Sequence, residues 1–254
     1  MVSLFLSNRS RSLRGLIGAG LLMAVPLGAL PLPAAADQVD RAVFDLTLMG
    51  LTAGRLEVNG KMVGTAYAAN GVLQSTGLLG AIRKVRYDAS VTGTYVNGTY
   101  TPASYREKAD TSKRQSESVM AYKAGVPQVK TYNPPREAKI GDVKPSTQGG
   151  TIDPLTALYA VVRDVPVAEA CTLSVVLFDG RRRSQVVLSA AENGAKGVTC
   201  AGEYRRLAGF SEKEMAEKVR FPFRLRYAAA GEGMLRVVEI SMDTLYGKGA
   251  LKRR

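Results

Sequence analysis

The chain contains no histidine. That removes every Ser-His and Cys-His nucleophilic arrangement and every histidine-ligated metal site. Arginine, carboxylate and two cysteines are what remain for chemistry. Three arginines stand together, Arg181, Arg182 and Arg183, in "LFDGRRRSQVVL". Asp179-Gly180 between two apolar runs reads as a two-residue hairpin turn, because both central residues of such a turn need positive φ. In that register Phe178 faces Arg181, Leu177 faces Arg182 and Val176 faces Arg183. Side chains alternate along a strand, so Arg181 and Arg183 share one face and Arg182 takes the other. The cluster therefore does not converge. Two readings follow: an anion-contacting tip, or a solvated tip that protects a sheet edge, with Arg181 stacked over Phe178.

A second constellation lies in "GEYRRLAGFSEKEMAEKVRFPFRLRY". Arg205, Arg206, Arg220, Arg224 and Arg226 interleave with Tyr204, Phe221, Phe223 and Tyr227. Beside nucleic acid this pattern would mean base stacking and phosphate contact. In a secreted chain it means amphipathic strands with basic outer faces, and no nucleic acid is expected. The ligand-contact candidates are Arg181, Arg183, Arg224, Arg226 and Tyr227. Glu212, Glu214 and Glu217 are diluted by Lys213 and Lys218 and do not have the ligand spacing of a calcium loop. No P-loop or dinucleotide fingerprint occurs. The sequence assigns no catalytic residue, no metal ligand and no cofactor.

The elements that position these residues begin after a leader. "MVSLFLSNRSRSLRG" is basic, "LIGAGLLMAVPLGAL" is apolar, and Ala34 and Ala36 occupy the small positions of a cleavage site. This predicts a secretory signal peptide over 1–36, cut between Ala36 and Asp37. The apolar run holds about 15 residues, short of the roughly 20 that a spanning helix needs. A periplasmic location follows as the expectation. The formal charge is +13. Losing the three leader arginines leaves about +10, which favours anionic surfaces: phospholipid headgroups, lipopolysaccharide or acidic glycan. In an oxidising compartment Cys171 and Cys200 are expected to pair. Closing a loop of about 30 residues adds roughly 3–4 kcal/mol. The hairpin register disagrees. It sets Cys171 opposite Leu188, and a tight turn at Asn193-Gly194 sets Thr199 opposite the same residue. The cysteines would then be two strands apart, about 10 Å, too far for a bond. Either one element departs from this register or the bond does not form.

Asn-Gly or Asp-Gly pairs recur at 59–60, 70–71, 97–98, 179–180 and 193–194. Five turn signals near β-branched runs predict an antiparallel β protein. "VRYDASVTGTYV" puts Tyr87, Ala89, Val91 and Tyr95 on one face. Three helical stretches interrupt the strands. "DPLTALYAVVRD" has Asp153 as N-cap, Pro154 at the first helical position and an apolar stripe of Leu155, Leu158, Tyr159 and Val162. Ser211 and Glu214 form a capping box. "GLLGAIRK" is a helical turn. Residues 133–151, rich in Pro, Gly and charge, form a long loop.

Together "AGRLEVNGKM", "YVNGTYTPASYREK", "GTIDPLTALYAVVRD", "VVLFDGRRRSQVVL" and "CAGEYRRLAGFSEKE" resemble the secreted bacterial proteins grouped as domain of unknown function 3108, alphaproteobacterial forms in particular. The resemblance implies a periplasmic protein with a curved antiparallel sheet, akin to an open or spiral β-barrel, and it transfers no site residue. The fold expectation is a mainly β domain over 37–254, its curved sheet curling around one short central helix, Pro154 to Arg163. The functional expectation is a non-enzymatic envelope protein that binds a lipid-like or amphipathic ligand in the concavity. The alternatives are an envelope scaffold that holds a protein or peptidoglycan, and a hydrolase without histidine.

Overall fold

The computed structural model describes residues 37–137, 141–194, 197–245 and 247–254. The predicted leader lies outside them, as do the two residues between Gly194 and Gly197. The strands are β1 (Gln38–Leu48), β2 (Leu51–Val63), β3 (Ala66–Ser75), β4 (Arg86–Val96), β5 (Thr99–Asp110), β6 (Gln115–Lys123) and β7 (Val126–Asn133) in the first half. The second half adds β8 (Val165–Pro166), β9 (Ser174–Phe178), β10 (Arg183–Gly194), β11 (Gly197–Ala208), β12 (Arg220–Ala229), β13 (Met234–Thr244) and β14 (Gly247–Arg253). The helices are α1 (Gly77–Ile82), α2 (Pro154–Val162) and α3 (Glu212–Glu217). All strands join one antiparallel sheet of fourteen, ordered β7-β6-β5-β4-β3-β2-β1-β14-β13-β12-β11-β10-β9, with β8 paired to β13. The first and last strands meet at the middle of this order, where β1 pairs β14.

The sheet curls because both of its arms have the same buried partner. Helix α2 packs on β2, β3, β4 and β5 from one arm and on β9 and β13 from the other. Its sequence pattern predicts one apolar stripe, yet Leu155, Ala157, Tyr159, Ala160, Val161 and Val162 are all buried, and Leu158 is half-buried. A helix wrapped by a sheet must be apolar nearly all round. The edges β7 and β9 are not laddered to each other. In the loop at 133–151, the described residues 141–151 bond beside both edges. Val143 N donates to Arg181 O at 3.0 Å, Gly150 N to Gly125 O at 3.1 Å, and Ile152 N to Val176 O at 3.0 Å. Exposed edges invite pairing with other chains, and this strap covers them. No helix among the described residues is long and apolar enough to cross a membrane.

Several local expectations hold. Asp153 caps α2, Ser211 and Glu214 form the capping box of α3, and α1 is a short helix. Asn97-Gly98, at φ 49° and 79°, is the turn between β4 and β5. Two other Asn-Gly pairs are not turns. Asn59-Gly60 lies within β2 and Asn70-Gly71 within β3, where Asn59 pairs with Asn70. The reason is tertiary. A Cβ on Gly60 would lie 2.1 Å from Tyr159 Cε2, and one on Gly71 would lie 2.7 Å from Leu155 Cδ1. Both glycines let α2 approach the sheet closely. Asn193 pairs with Val198 and Gly194 with Gly197, so this pair lies inside the β10–β11 ladder.

The arginine hairpin also differs from its predicted register. Phe178 pairs with Arg183 and Leu177 with Ser184, so residues 179–182 form a four-residue loop. Asp179 shapes it: its Oδ1 accepts from Arg181 N at 2.9 Å and Arg182 N at 2.7 Å. Arg181 is therefore not over Phe178, and Arg182 does not face Leu177. The cysteine conflict is resolved by the same kind of shift. β9 begins at Ser174, Cys171 turns the chain at φ 62°, and β10 is bulged between Ser189 and Ala191. Cys171 thus lies beyond the strand end and reaches Cys200, with Cα atoms 5.3 Å apart in a disulfide.

Candidate functional site

Helix α2 is clamped at both ends by buried polar groups. At its start, Asp153 Oδ1 accepts from Thr156 N at 2.9 Å and Oδ2 accepts from Thr156 Oγ1 at 2.6 Å. The Tyr67 hydroxyl lies 2.8 Å from the same Oγ1. Burial raises the Asp153 carboxyl to about 6, against the Thr156 hydrogen bonds that favour its ionised form. At the other end Tyr159 Oη donates to Asp40 Oδ2 at 2.7 Å, and Asp40 Oδ1 accepts from Gln38 Nε2 at 2.7 Å. Beyond it Arg163 Nη2 donates to Glu169 Oε2 at 2.5 Å, and its guanidinium sits 5.2 Å above the Tyr95 ring. These partners fix the helix along and around its axis.

Between the clamps one flank of the helix is apolar and open. Pro154, Leu155 and Leu158 face Leu46, Leu56, Leu73, Ala89 and Leu251 across a groove of about 420 Å³. That volume is within the range of small-molecule sites. Strand alternation builds the far wall. Leu56 pairs with Leu73 and Leu73 with Tyr87, so all three share the inner face. In the next row Gly71 pairs with Ala89 and Ala89 with Glu107, and the two small residues leave space. Glu107 Oε2 accepts from Tyr105 Oη at 2.7 Å. Burial holds this carboxyl above its usual range, although the Tyr105 bond works the other way.

The groove leads into a polar mouth. Tyr87, Tyr105, Glu107 and Pro154 border both the groove and an adjoining cavity of about 670 Å³. There Arg114 and Arg136 lie over the Tyr132 ring, 6.0 and 5.4 Å from its centroid. Asp179, Arg181 and Arg182 stand on the same rim. Burial raises Asp179 too, opposed first by its hydrogen bond from the Arg182 backbone. An apolar channel that ends in mixed charge can hold a molecule with an apolar body and a polar head.

The structure separates most of the residues singled out from sequence. Arg181 reaches the mouth, with Nε on Asp142 Oδ1 at 2.8 Å. Arg182 bonds Glu214 at 2.7 Å and covers Phe210. Arg183 turns to Gln148 Oε1 at 3.3 Å. Arg224 and Arg226 are on the opposite face of β12 from Tyr227, as alternation requires. Arg226 pairs with Glu239 at 2.9 Å, and Arg224 lies 3.8 Å from Glu192. Tyr227 is buried and walls a different cavity of about 420 Å³, with Tyr100, Arg163 and Leu188. Sequence reading placed Leu158 and Ala89 on apolar faces without making them ligand contacts, and it passed over Leu73, Glu107, Arg114 and Arg136. One signal for the groove was present: Gly60 and Gly71 sit inside stretches rich in apolar residues, which marks a surface against which something packs closely.

This geometry defines a barrel-like protein, an antiparallel sheet curled about a central helix with an apolar groove beside it. The family model described as protein of unknown function DUF3108 matches residues 43–206. The chain belongs to that family. Among solved structures, the crystal structure of a β-barrel-like protein of domain of unknown function DUF1849 from Brucella abortus is similar, at 16% identity and a TM-score of 0.46, covering 85% of this chain and 95% of that one. No curated protein sequence matches the chain significantly.

Proposed function

We propose that this is a non-enzymatic protein of the periplasm that binds a lipid-like or other amphipathic ligand in the groove beside α2. The apolar body of the ligand lies against Leu155, Leu158, Leu73 and Ala89, and its polar head sits among Arg114, Arg136 and Glu107. One observation carries the reading: the open apolar groove is continuous with a polar mouth through shared residues. The clamped helix supports it, since a helix fixed at both ends cannot slide to fill the space. The leader sequence supports export, and the positive charge supports residence near anionic envelope surfaces.

The test is native mass spectrometry of the protein purified from a periplasm, with organic extraction of what travels with it. The expected result is a stoichiometric hydrophobic adduct. Ala89→Phe places a ring in the groove between Gly71 and Glu107. It should remove the adduct and lower the affinity for an anilinonaphthalene probe at least tenfold, with an unchanged circular dichroism spectrum. A bare wild-type mass, together with probe binding that Ala89→Phe leaves intact, overturns the reading and turns attention to an envelope scaffold.

A further inference from the structure

The two ends of the sheet carry different chemistry. One end holds the β1–β2 turn, α1 and its flanks, the β5–β6 connection, α3 and the β13–β14 turn. These join into one rim. Met49 N donates to Lys248 O at 2.7 Å and Thr76 N to Ala53 O at 3.1 Å. Ser112 Oγ donates to Lys84 O at 2.6 Å, and Lys218 Nζ donates to Asp243 O at 3.0 Å. Large apolar side chains stand out from this rim: Met49 is 66% exposed, Leu51 52%, Ile82 82% and Leu245 40%. Between them Arg83, Lys84, Lys113 and Lys248 are exposed and form no ion pair among the described residues.

The other end is the internal control. Its described connections, 64–65, 97–98, 124–125, 164–173 and 230–233, contain no lysine or arginine and three acids, Asp164, Glu169 and Glu232. Exposed valines occur there, Val63 and Val96 among them, so apolar exposure alone does not separate the two ends. Among the described residues, the exposed methionine, leucine and isoleucine side chains all lie at the first end, with Arg83, Lys84, Lys113 and Lys248 between them. That is the composition of a surface that sits in the headgroup layer of an anionic bilayer. Each lysine or arginine held near such a surface adds about 1 kcal/mol, roughly a fivefold gain in partitioning, within a Debye length.

We propose that this rim docks on an anionic phospholipid bilayer, with Leu51 and Ile82 entering the headgroup region and Lys84, Lys113 and Lys248 facing lipid phosphates. Charge complementarity selects this partner. The docking does not require the groove to be filled, although Arg114 of the mouth follows Lys113 on the same connection. A ligand could then pass between bilayer and groove without crossing open solvent.

The experiment is vesicle flotation of the purified protein. Vesicles of phosphatidylethanolamine and phosphatidylglycerol should retain it, vesicles of phosphatidylcholine alone should not, and raised salt should release it. Lys84→Glu with Lys248→Glu should lower retention at least tenfold, and Leu51→Ser with Ile82→Ser should lower it severalfold. Val63→Ser with Val96→Ser, at the other end, should leave it unchanged. Circular dichroism and anilinonaphthalene binding are recorded for each variant, which keeps loss of fold or of groove binding distinct from loss of docking. Failure of the wild-type protein to float with anionic vesicles overturns the proposal. So does an equal loss from the control pair at the other end.

Discussion

The two halves of helix α2 meet the same sheet in different ways. Near its C-terminal half, Tyr159 packs directly on Gly60, fully buried, with its hydroxyl bound to Asp40. Near its N-terminal half, Leu155 lies over Gly71 beside a groove of about 420 Å³. Both contacts use a strand glycine. One is a rigid ring tied by a hydrogen bond to a buried carboxylate, and the other is the end of a flexible leucine beside open space. Close packing against rigid partners transmits strain, whereas a side chain beside a cavity can move into it. The comparison suggests a division of labour, with anchorage in one half of the helix and adaptable volume in the other.

The largest test of that division is Gly60→Val. The new side chain must displace the Tyr159 ring, and losing the Tyr159–Asp40 bond leaves a buried acceptor short of a donor. Overpacking of ~1–3 kcal/mol plus ~1–3 kcal/mol for the broken bond predicts a loss of about 3–4 kcal/mol. Urea unfolding measures it. A loss below ~1 kcal/mol would mean that the anchored half is as compliant as the other.

The next effect is a pH dependence at the N-cap. Asp153 has a folded value of about 6 because it is buried, against about 3.9 in an unfolded chain. A raised value means that the folded state holds the proton more tightly. Stability contributed by the protonated form is present at low pH and is lost as pH rises from about 4 to 6. Two units correspond to about 3 kcal/mol as an upper bound. Asp153→Asn cannot ionise and still offers Thr156 an acceptor, so its stability should fall less across this window. Equal slopes for the two proteins would remove Asp153 as the source.

The smallest effect is expected from Gly71→Ala. Its Cβ would crowd Leu155 Cδ1, at 2.7 Å, and meet Glu57 O at an ordinary 3.8 Å. Leu155 can rotate toward the groove, so the loss should stay below about 1 kcal/mol. Probe affinity should fall at the same time, because Leu155 then occupies ligand space. Unfolding and probe titration on one sample separate the two. A large loss of stability with unchanged probe binding would reverse the assignment of the two halves.

The sequence was legible where the physics is local. The N-cap at Asp153 with Pro154 behind it, the capping box at Ser211 and Glu214, and the alternation of Tyr87, Ala89 and Val91 each follow from a few neighbouring residues. It misled where a residue type serves two purposes. Asn97-Gly98 turns the chain, whereas Asn59-Gly60 and Asn70-Gly71 make room for a helix about a hundred residues away. Positive φ and the lack of a Cβ are different uses of glycine, and local sequence does not distinguish them. Arg181, Arg182 and Arg183 looked like one cluster. Their partners, Asp142 and Gln148 at two places on the 133–151 loop and Glu214 on α3, pull them apart. The groove itself left little trace, because its walls are ordinary strand leucines until α2 crosses them.

By itself the sequence determined an antiparallel β protein with one well-capped helix, a histidine-free chemistry, a basic charge and membership of its family. These depend on residue types, on alternation and on caps, all of which act within a few residues. Only the tertiary structure decided which strands of each arm enclose the helix, that Cys171 leaves its strand to meet Cys200, and that the free volume gathers beside Leu155 and Leu158. Those outcomes depend on which distant side chains compete for the same space, and that competition exists only once the sheet has closed around the helix.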